Sequence, residues 1–224
     1  MSSRADTAEG RPDRRRSRSA ASRAILLEAT IASIAERGLE ATTLATVSEH
    51  AGLSRGLVAF HFAGKEPLIR AALDHANEVY DRSWVHHVHV TPLPAAERLA
   101  RALAHDLAFA EAFPDYLSFW YALWGAARGK SLYREATLRL DSRYVSELAS
   151  LIAAAAPPDA PLSPAVATAR AEALSAMIYG FWLDVHLGPP RHDAAAARQA
   201  AAEALRLHVP GYQGPLPLLR IERR

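Results

Sequence analysis

Residues 43–62 read TLATVSEHAGLSRGLVAFHF and have the layout of a helix-turn-helix. The segment 44–50 is a short helix that Thr42 or Thr43 can cap, and Arg55–Phe62 is a second helix that Ser54 can cap. Gly52 supplies the turn between them, and small apolar residues allow the two helices to cross closely. In DNA-reading proteins the second helix of this motif enters the major groove. A helix-glycine-helix arrangement also arises by chance in helical proteins, so the spacing alone leaves DNA reading as a hypothesis.

The composition predicts a folded, mostly helical protein. Of the 224 residues 48 are alanine, against 11 glycine and 14 proline, and alanine is the strongest helix former. Apolar residues make up 50% of the chain, which excludes the disordered class for most of its length. Cysteine is absent, which excludes disulfides, thiolate metal sites and iron–sulfur ligation. The longest apolar runs are far shorter than the roughly 20 residues of a membrane span, and no export signal is evident. We expect a cytoplasmic protein.

Positive charge is concentrated at the start of the chain. Residues 1–23 contain seven arginines against three acidic residues. Residues 1–20 show no apolar period, so they are predicted to be a disordered basic arm. The arm is either a solvated tail or a DNA-contacting segment.

Apolar residues recur at helical spacing through the rest of the chain and predict about nine helices. Helices 1 to 3 lie in residues 21–64 and form the helix-turn-helix domain. Residues 65–209 form a second helical domain, in which a long helix 4 (to about residue 84) is followed by a histidine-rich loop at 86–94 and helices 5 to 9. The prolines of residues 210–224 indicate an irregular tail. The predicted fold is all-α with two domains.

The segment 23–69, RAILLEATIASIAERGLEATTLATVSEHAGLSRGLVAFHFAGKEPLI, resembles the DNA-binding domain of the TetR family of transcriptional regulators. The resemblance rests on the motifs Ala35-Glu36-Arg37-Gly38, Thr42-Thr43, Ala51-Gly52-Leu53-Ser54, Phe60-His61-Phe62 and Lys65-Glu66. It implies phosphate contacts from Thr43, Ser54 and Lys65. It also implies groove contacts from Arg55, Gly56, Leu57, Phe60 and His61, and Arg23 completes the predicted DNA-binding set.

Two of these residues can also be argued from their chemistry. Arg55 is the only long cationic side chain of the second helix, and a bidentate arginine–guanine pair is the commonest specific base contact. The alternatives for Arg55 are a phosphate contact and a solvated side chain. Lys65 opens a helix, where its charge together with free backbone donors can clamp a phosphate. The sequence departs from the commoner family pattern at Leu57, where threonine is usual, and at Ala59 and Phe60, where tyrosine is usual. Phe62 is predicted to lie in the core.

The C-terminal half resembles the regulatory domain of BetI-type members of this family, which are choline-responsive repressors. The resemblance is carried by Phe119-Trp120, Leu132-Tyr133-Arg134, Arg143-Tyr144 and Gly180-Phe181-Trp182-Leu183. Aromatic residues are dense in helices 6 and 8. They either fill a core or line a cavity for a quaternary ammonium such as choline, which aromatic faces attract. Asp184 or Asp115 could add a complementary charge. The candidate effector site is Tyr116, Phe119, Trp120, Trp124, Tyr179, Trp182 and Asp184.

The sequence therefore predicts a repressor that binds an inverted-repeat operator as a homodimer and is released by a small molecule. Small residues in helices 8 (164–187) and 9 (194–208) predict the dimer contact, because they permit close approach of a partner helix; they are Ala171, Ala176, Gly180, Ala197, Ala201 and Ala204. The alternatives are a helical ligand-binding or interaction protein without operator control, and an α-helical enzyme. The chain contains none of the common catalytic motifs, so we predict no catalytic residues and no cofactor. His86, His87 and His89 are poorly spaced for a metal, and no metal site is predicted.

Overall fold

The computed structural model describes residues 10–89, 92–129, 131–189, 193–209 and 211–222. Within these residues the regular elements are nine α-helices and one turn of π-helix, and no β-strand occurs. The all-α class predicted from the sequence is confirmed. The chain divides into two compact units between His75 and Ala76.

The first unit contains three complete helices and the beginning of a fourth. These are α1 (Gly10–Arg37), α2 (Leu44–Ala51), α3 (Arg55–His61) and α4 (Lys65–Trp84). Burial of an aliphatic side chain of this size stabilises the fold by about 1.5–3 kcal/mol, so the shared core fixes how the helices pack. The large aliphatic side chains of this core that are at most 2% exposed are Leu26, Leu27, Ile31, Ile34, Val47, Val58, Leu68 and Ile69.

Helix α1 begins earlier than predicted. It starts at Gly10, whereas the sequence analysis assigned residues 1–20 to a disordered arm; residues 1–9 of that arm lie outside the described residues. Arginine and alanine are strong helix formers, so a helix anchored by the buried Leu26 and Leu27 extends back through residues 10–20. Ser22 is consequently inside α1 and does not cap it.

Helix α4 continues into a segment that was predicted to be a loop. Val85–His89 form one turn of π-helix, and the predicted loop began at residue 86. Val88 is buried, and Arg101 Nε donates to the His87 carbonyl at 2.6 Å. The burial of Val88 and the hydrogen bond from Arg101 stabilise the additional turn. The predicted domain boundary lay at the start of α4, whereas the two compact units divide inside it.

The second unit is built around helix α5 (Ala95–Ala112), which is buried along most of its length. Helices α6 (Pro114–Ala126), α7 (Ser131–Ala154), α8 (Pro164–Leu187) and α9 (Ala194–His208) pack against it. The many alanines of α5 leave room for close approach of its neighbours. His105 and Asp106 lie in the middle of α5 and are both fully buried.

The C-terminal segment follows α9 without regular secondary structure in residues 211–222. Arg198 donates to the Pro217 carbonyl at 2.7 Å, and Leu216 is buried. The segment is therefore attached to α9 by side-chain hydrogen bonds.

Candidate DNA-reading surface and ligand cavity

The α2-turn-α3 motif is fixed by three capping interactions. Thr43 accepts a hydrogen bond from the Thr46 backbone at 3.1 Å, and the Thr46 hydroxyl accepts one from the Thr43 backbone at 2.9 Å. Gly52 ends α2 with φ 64°, a left-handed conformation that favours glycine. Ser54 caps α3 by accepting from the Leu57 backbone at 3.3 Å. Thr43 and Ser54 are both exposed, so each hydroxyl is fixed at a helix N-terminus that faces solvent.

One face of α3 is open to solvent. The Arg55 side chain is 76% exposed and lies 3.8 Å from Glu49, its partner on α2. Phe60 is 71% exposed, which is unusual for a large aromatic side chain. Gly56 lies between them along the helix, and Leu57 is half-buried. Val58, on the opposite face, is fully buried against the core.

The other three predicted DNA contacts have partners within the first unit. His61 Nε2 lies 2.9 Å from the Ser22 hydroxyl, and Lys65 Nζ donates to the Glu40 carbonyl at 3.1 Å. The guanidinium of Arg23 lies 5.4 Å from the centre of the Phe62 ring. Phe62 is buried, as predicted. Each of the three polar side chains keeps further donors or acceptors after these contacts.

The second unit contains a narrow cavity between α4, α6, α7 and α8. Its volume is about 20 Å³, enough for one or two water molecules. Trp120 and Trp182 stack across it with ring centres 5.6 Å apart and planes within 11°. The lining residues are Tyr80, Trp120, Trp124, Leu140, Tyr144, Ile178, Tyr179 and Trp182.

Four of the seven residues predicted for the effector site line this cavity: Trp120, Trp124, Tyr179 and Trp182. The other three do not, because they lie on other faces of their helices. Tyr116 is buried against Phe113 and Phe109, and Phe119 is fully buried in the core. Asp184 is half-buried near Tyr121, where it contributes, after burial, to raising the pKa of that phenol to about 12. The aromatic residues of α6 and α8 therefore form both a core and a cavity lining.

Tyr80, Tyr144 and Asp106 were not among the residues predicted for the effector site. The two tyrosines fall on the apolar stripes of α4 and α7, so the pattern indicated core residues. Both donate to the fully buried carboxylate of Asp106, Tyr80 at 2.6 Å and Tyr144 at 2.5 Å. Burial and the Asp106 charge raise the pKa of each phenol well above its usual value. A carboxylate in the middle of the alanine-rich, apolar α5 was the signal that could have pointed to this site.

The third tyrosine of the cavity also donates to a carboxylate. The Tyr179 hydroxyl lies 2.7 Å from Asp141 Oδ1, and burial together with this bond raises its pKa. Asp141 is half-buried on α7. The hydroxyl groups of Tyr80, Tyr144 and Tyr179 therefore all donate hydrogen bonds to carboxylates.

A second, wider cavity adjoins the first. It encloses about 230 Å³ and shares Tyr80, Leu140 and Tyr144 with the aromatic cavity. Its remaining lining is charged at the edge, where Arg143 pairs with Asp81 and His89 pairs with Glu147. The aromatic cavity thus has a second space beside it, with two ion pairs at the edge of that space.

In the part of the chain that the structure describes, no three histidine, aspartate or glutamate side chains are arranged to hold a metal ion. None of the described helices combines the length and the apolarity of a membrane span.

A helix-turn-helix in one unit and an aromatic cavity in the other are together typical of a one-component transcriptional regulator. The family model for TetR-family bacterial regulatory proteins matches residues 26–72, and that for the C-terminal domain of BetI-type transcriptional repressors matches residues 95–210. The transcriptional regulator BetI of Burkholderia thailandensis is 30% identical over 83% of this chain and 92% of its own length.

Solved structures agree with this fold. A transcriptional regulator from Rhodococcus sp. superposes with a TM-score of 0.71 at 21% identity, over 84% of this chain and 96% of that one. A protein from Saccharomonospora viridis, solved in complex with choline, gives a TM-score of 0.71 at 22% identity, over 82% of this chain and 95% of that one.

The chain belongs to the TetR family, with a regulatory domain of BetI type. It is a DNA-binding transcriptional repressor, and its relatives are regulators, not enzymes. Members of this family bind operator DNA and small effectors as dimers.

Proposed function

We propose that the protein represses transcription as a homodimer on an inverted-repeat operator, and that a quaternary ammonium such as choline releases it. The observation that carries the effector proposal is the cavity of six aromatic rings drawn from four helices. Such an operator is inside the cell, so the proposal requires a cytoplasmic protein.

On the DNA side, we assign base contacts to the solvent face of α3. Arg55 pairs with a guanine, and the exposed Phe60 ring contacts a thymine methyl. Gly56 and Leu57 lie against the groove, where the absence of a side chain at Gly56 allows close approach of the backbone. Each side chain is directed by a helix whose ends are capped, so the contact surface is preorganised.

Phosphate contacts are assigned to the cap residues and to the cations around the motif. Thr43 and Ser54 lie at helix N-termini, which favour anions. Lys65 uses one of three ammonium donors on Glu40 and keeps two for a phosphate, and His61 keeps its Nδ1 atom. Arg23 adds positive charge beside the motif, where its guanidinium lies near the Phe62 ring.

On the effector side, we assign the ligand to Trp120, Trp124, Tyr179 and Trp182 together with Tyr80 and Tyr144. A quaternary ammonium donates no hydrogen bonds and spreads its charge over methyl groups, so aromatic faces are its natural receptor; each desolvated cation–π contact contributes about 2 kcal/mol. The choline bound by the Saccharomonospora viridis protein supports the same ligand class.

The size of the cavity suggests how binding is coupled to DNA release. Choline is larger than a cavity of about 20 Å³, so its binding must displace the surrounding rings. Tyr80 belongs to α4, the same helix that begins at Lys65. A ligand that displaces Tyr80 therefore acts on the helix that opens beside the DNA-reading motif, and it shifts the population towards a state with weaker operator affinity.

The dimer is proposed to form through α8 and α9. Four apolar side chains on these helices are exposed: Val166, Leu183, Leu187 and Leu207. Ala176 and Gly180 are exposed on α8 and allow a partner helix to approach closely. Ala171 and Ala201, which the sequence analysis placed in the same contact, are fully buried within the monomer and are not available to a partner.

The test combines operator binding with ligand titration. The purified protein should retain genomic fragments that share an inverted repeat, and choline should release them while it changes tryptophan fluorescence. The neutral isostere 3,3-dimethylbutanol is the ligand control, because it matches the shape of choline without its charge. A footprint on a single half-site, or retention without sequence preference, would favour an interaction protein without operator control.

Two variants localise the ligand. Trp124→Leu removes one ring from the cavity at a half-buried position and should weaken choline about tenfold. Tyr116→Phe alters a residue outside the cavity and should leave choline affinity unchanged. Equal effects of the two variants would contradict the assignment of the ligand to this cavity.

A further inference from the structure

Asp106 is a buried charge placed directly behind the aromatic cavity. Its side chain is fully buried, and it does not line the cavity itself. Oδ1 accepts from Tyr80 and Oδ2 accepts from Tyr144, and these two phenols form part of the cavity wall. The carboxylate is therefore separated from the cavity by the two rings that it holds.

The remaining contact of the Asp106 carboxylate is with the neighbouring His105 ring, and this contact does not require the ring to be charged. His105 Nδ1 lies 3.3 Å from Asp106 Oδ1, and His105 Nε2 lies 2.9 Å from the Ser83 hydroxyl. A neutral imidazole with its proton on Nδ1 donates to Asp106 and accepts from Ser83, so it satisfies both contacts. In the ranges that the structure describes, no lysine or arginine forms an ion pair with Asp106.

Burial of a carboxylate that is not paired with a lysine or an arginine is unfavourable for folding. Its desolvation costs several kcal/mol, and hydrogen bonds from neutral groups recover only part of that. An amide side chain could join α4, α5 and α7 without this desolvation of a charge, since its oxygen also accepts a hydrogen bond. The position of this charge is explained if a cation occupies the neighbouring cavity in one state of the protein.

We propose that Asp106 is a specificity-determining residue that makes the cavity select a cation over a neutral molecule of the same shape. It acts through its hydrogen bonds with Tyr80 and Tyr144, without touching the ligand. A phenol that donates to a carboxylate carries more electron density on its ring, which strengthens the attraction of the ring face for a cation. The carboxylate charge adds a longer-range attraction through a medium of low dielectric constant. This inference rests on the proposed quaternary ammonium effector.

The alternative role for Asp106 is purely structural, as an acceptor that holds three helices together. The two roles differ in which ligands they affect. A structural residue influences every ligand of the cavity alike, whereas a charge that selects cations influences choline and leaves 3,3-dimethylbutanol unchanged. The informative quantity is the ratio of the two dissociation constants.

Asp106→Asn removes the charge and keeps the size and one acceptor oxygen. We expect its choline affinity to fall about 10- to 30-fold, while its affinity for 3,3-dimethylbutanol stays within about twofold of wild type. Asp184→Asn is the matched control, since it removes a half-buried carboxylate that does not line the cavity and lies near Tyr121. It should leave both constants unchanged. Binding is measured by tryptophan fluorescence and calorimetry on the full-length protein.

The outcomes separate this inference from the proposed function. Asp106 is structural and the inference is wrong if Asp106→Asn prefers choline over 3,3-dimethylbutanol by the same factor as wild type. The same conclusion follows if the variant binds both ligands more weakly by the same factor. If wild type binds choline no better than 3,3-dimethylbutanol, the cationic effector fails and the inference fails with it.

A second variant covers the case in which Asp106→Asn does not fold. Tyr144→Phe keeps the ring and deletes one of the two hydrogen bonds, so the preference for choline should fall about two- to fivefold. An unchanged preference in this variant would overturn transmission through the phenols.

Discussion

At the scale of single residues, the two cations of the DNA-reading surface should have separable roles. Arg55→Ala is expected to cost about 1–3 kcal/mol of operator affinity and to relax discrimination at one base position, because it removes the side chain of the proposed base contact. Lys65→Ala should weaken all sequences alike and reduce the salt slope by about one. Binding to operator and random DNA across a salt series measures both effects. Equal losses on cognate and random DNA for both variants would reassign Arg55 to a phosphate.

Phe60 and Phe62 are a matched pair of aromatic residues with opposite environments. Phe60 is 71% exposed and Phe62 only 6%. Phe60→Ala should leave the free energy of unfolding within about 0.5 kcal/mol of wild type and weaken operator binding. Phe62→Ala should lower the free energy of unfolding by about 3–5 kcal/mol, because it leaves a cavity in the core. Denaturant unfolding and operator titration distinguish them, and a large loss of stability in Phe60→Ala would remove the argument that its exposure serves DNA.

Gly56 gives a third test at this scale, in which stability and binding should change in opposite directions. An alanine Cβ at this helical position would meet no atom closer than Ser54 Oγ at 4.0 Å, so the fold tolerates it. Gly56→Ala is expected to stabilise α3 by up to about 1 kcal/mol through its higher helix propensity. It should weaken operator binding, since the added methyl separates the backbone from the groove. If operator affinity is unchanged, the groove does not require a glycine here.

At the scale of elements, the helices were largely predictable because their signals are local. Ser54 and Gly52 mark ends of α3 and α2 through caps that depend on neighbouring residues only, and α5 to α9 follow their apolar periods. The start of α1 and the π-helical turn were not predicted. Both are extensions that depend on burial and hydrogen bonds to other elements, as with Arg101 and the His87 carbonyl.

The ligand cavity was only partly predictable for the same reason. Trp120, Trp124, Tyr179 and Trp182 were found because aromatic residues are dense in α6 and α8. Tyr80 and Tyr144 lie on helices α4 and α7, and only the packing of four helices shows that they reach the same space. The apolar period of a sequence shows which face of one helix is buried, whereas a cavity is formed by the faces of several helices.

The packing of these helices should also be sensitive to alkaline pH. The pKa values of Tyr80 and Tyr144 are raised by burial and by Asp106, whereas tyrosines of the unfolded chain ionise near pH 10. Below that pH both states hold their protons, and above it the unfolded state binds fewer protons than the folded state. Stability should therefore fall as pH rises above about 10. Denaturant unfolding between about pH 8 and pH 11 measures this, and Tyr144→Phe should lose less stability over the range than wild type; equal losses would exclude Tyr144 as a source.

At the scale of the whole molecule, the proposed effector and operator DNA bind to the same chain, so their binding free energies are coupled. The effector cavity belongs to the second unit and the reading motif to the first, and α4 contains residues of both. If choline lowers operator affinity by some factor, operator DNA must lower choline affinity by the same factor, because the coupling free energy is a property of the protein. Couplings of this kind are typically about 5- to 150-fold.

This reciprocity can be measured without knowing the path of the coupling. Choline is titrated calorimetrically into free protein, into protein saturated with operator, and into protein mixed with random DNA. The dissociation constant should rise in the operator complex by the factor that choline imposes on operator binding, and random DNA should change it little. Choline at about 100 times its dissociation constant should also stabilise the free protein by about 2.7 kcal/mol, visible as a higher melting temperature. If choline stabilises the protein and operator DNA leaves its affinity unchanged, choline is a ligand of the cavity and some other molecule controls the operator.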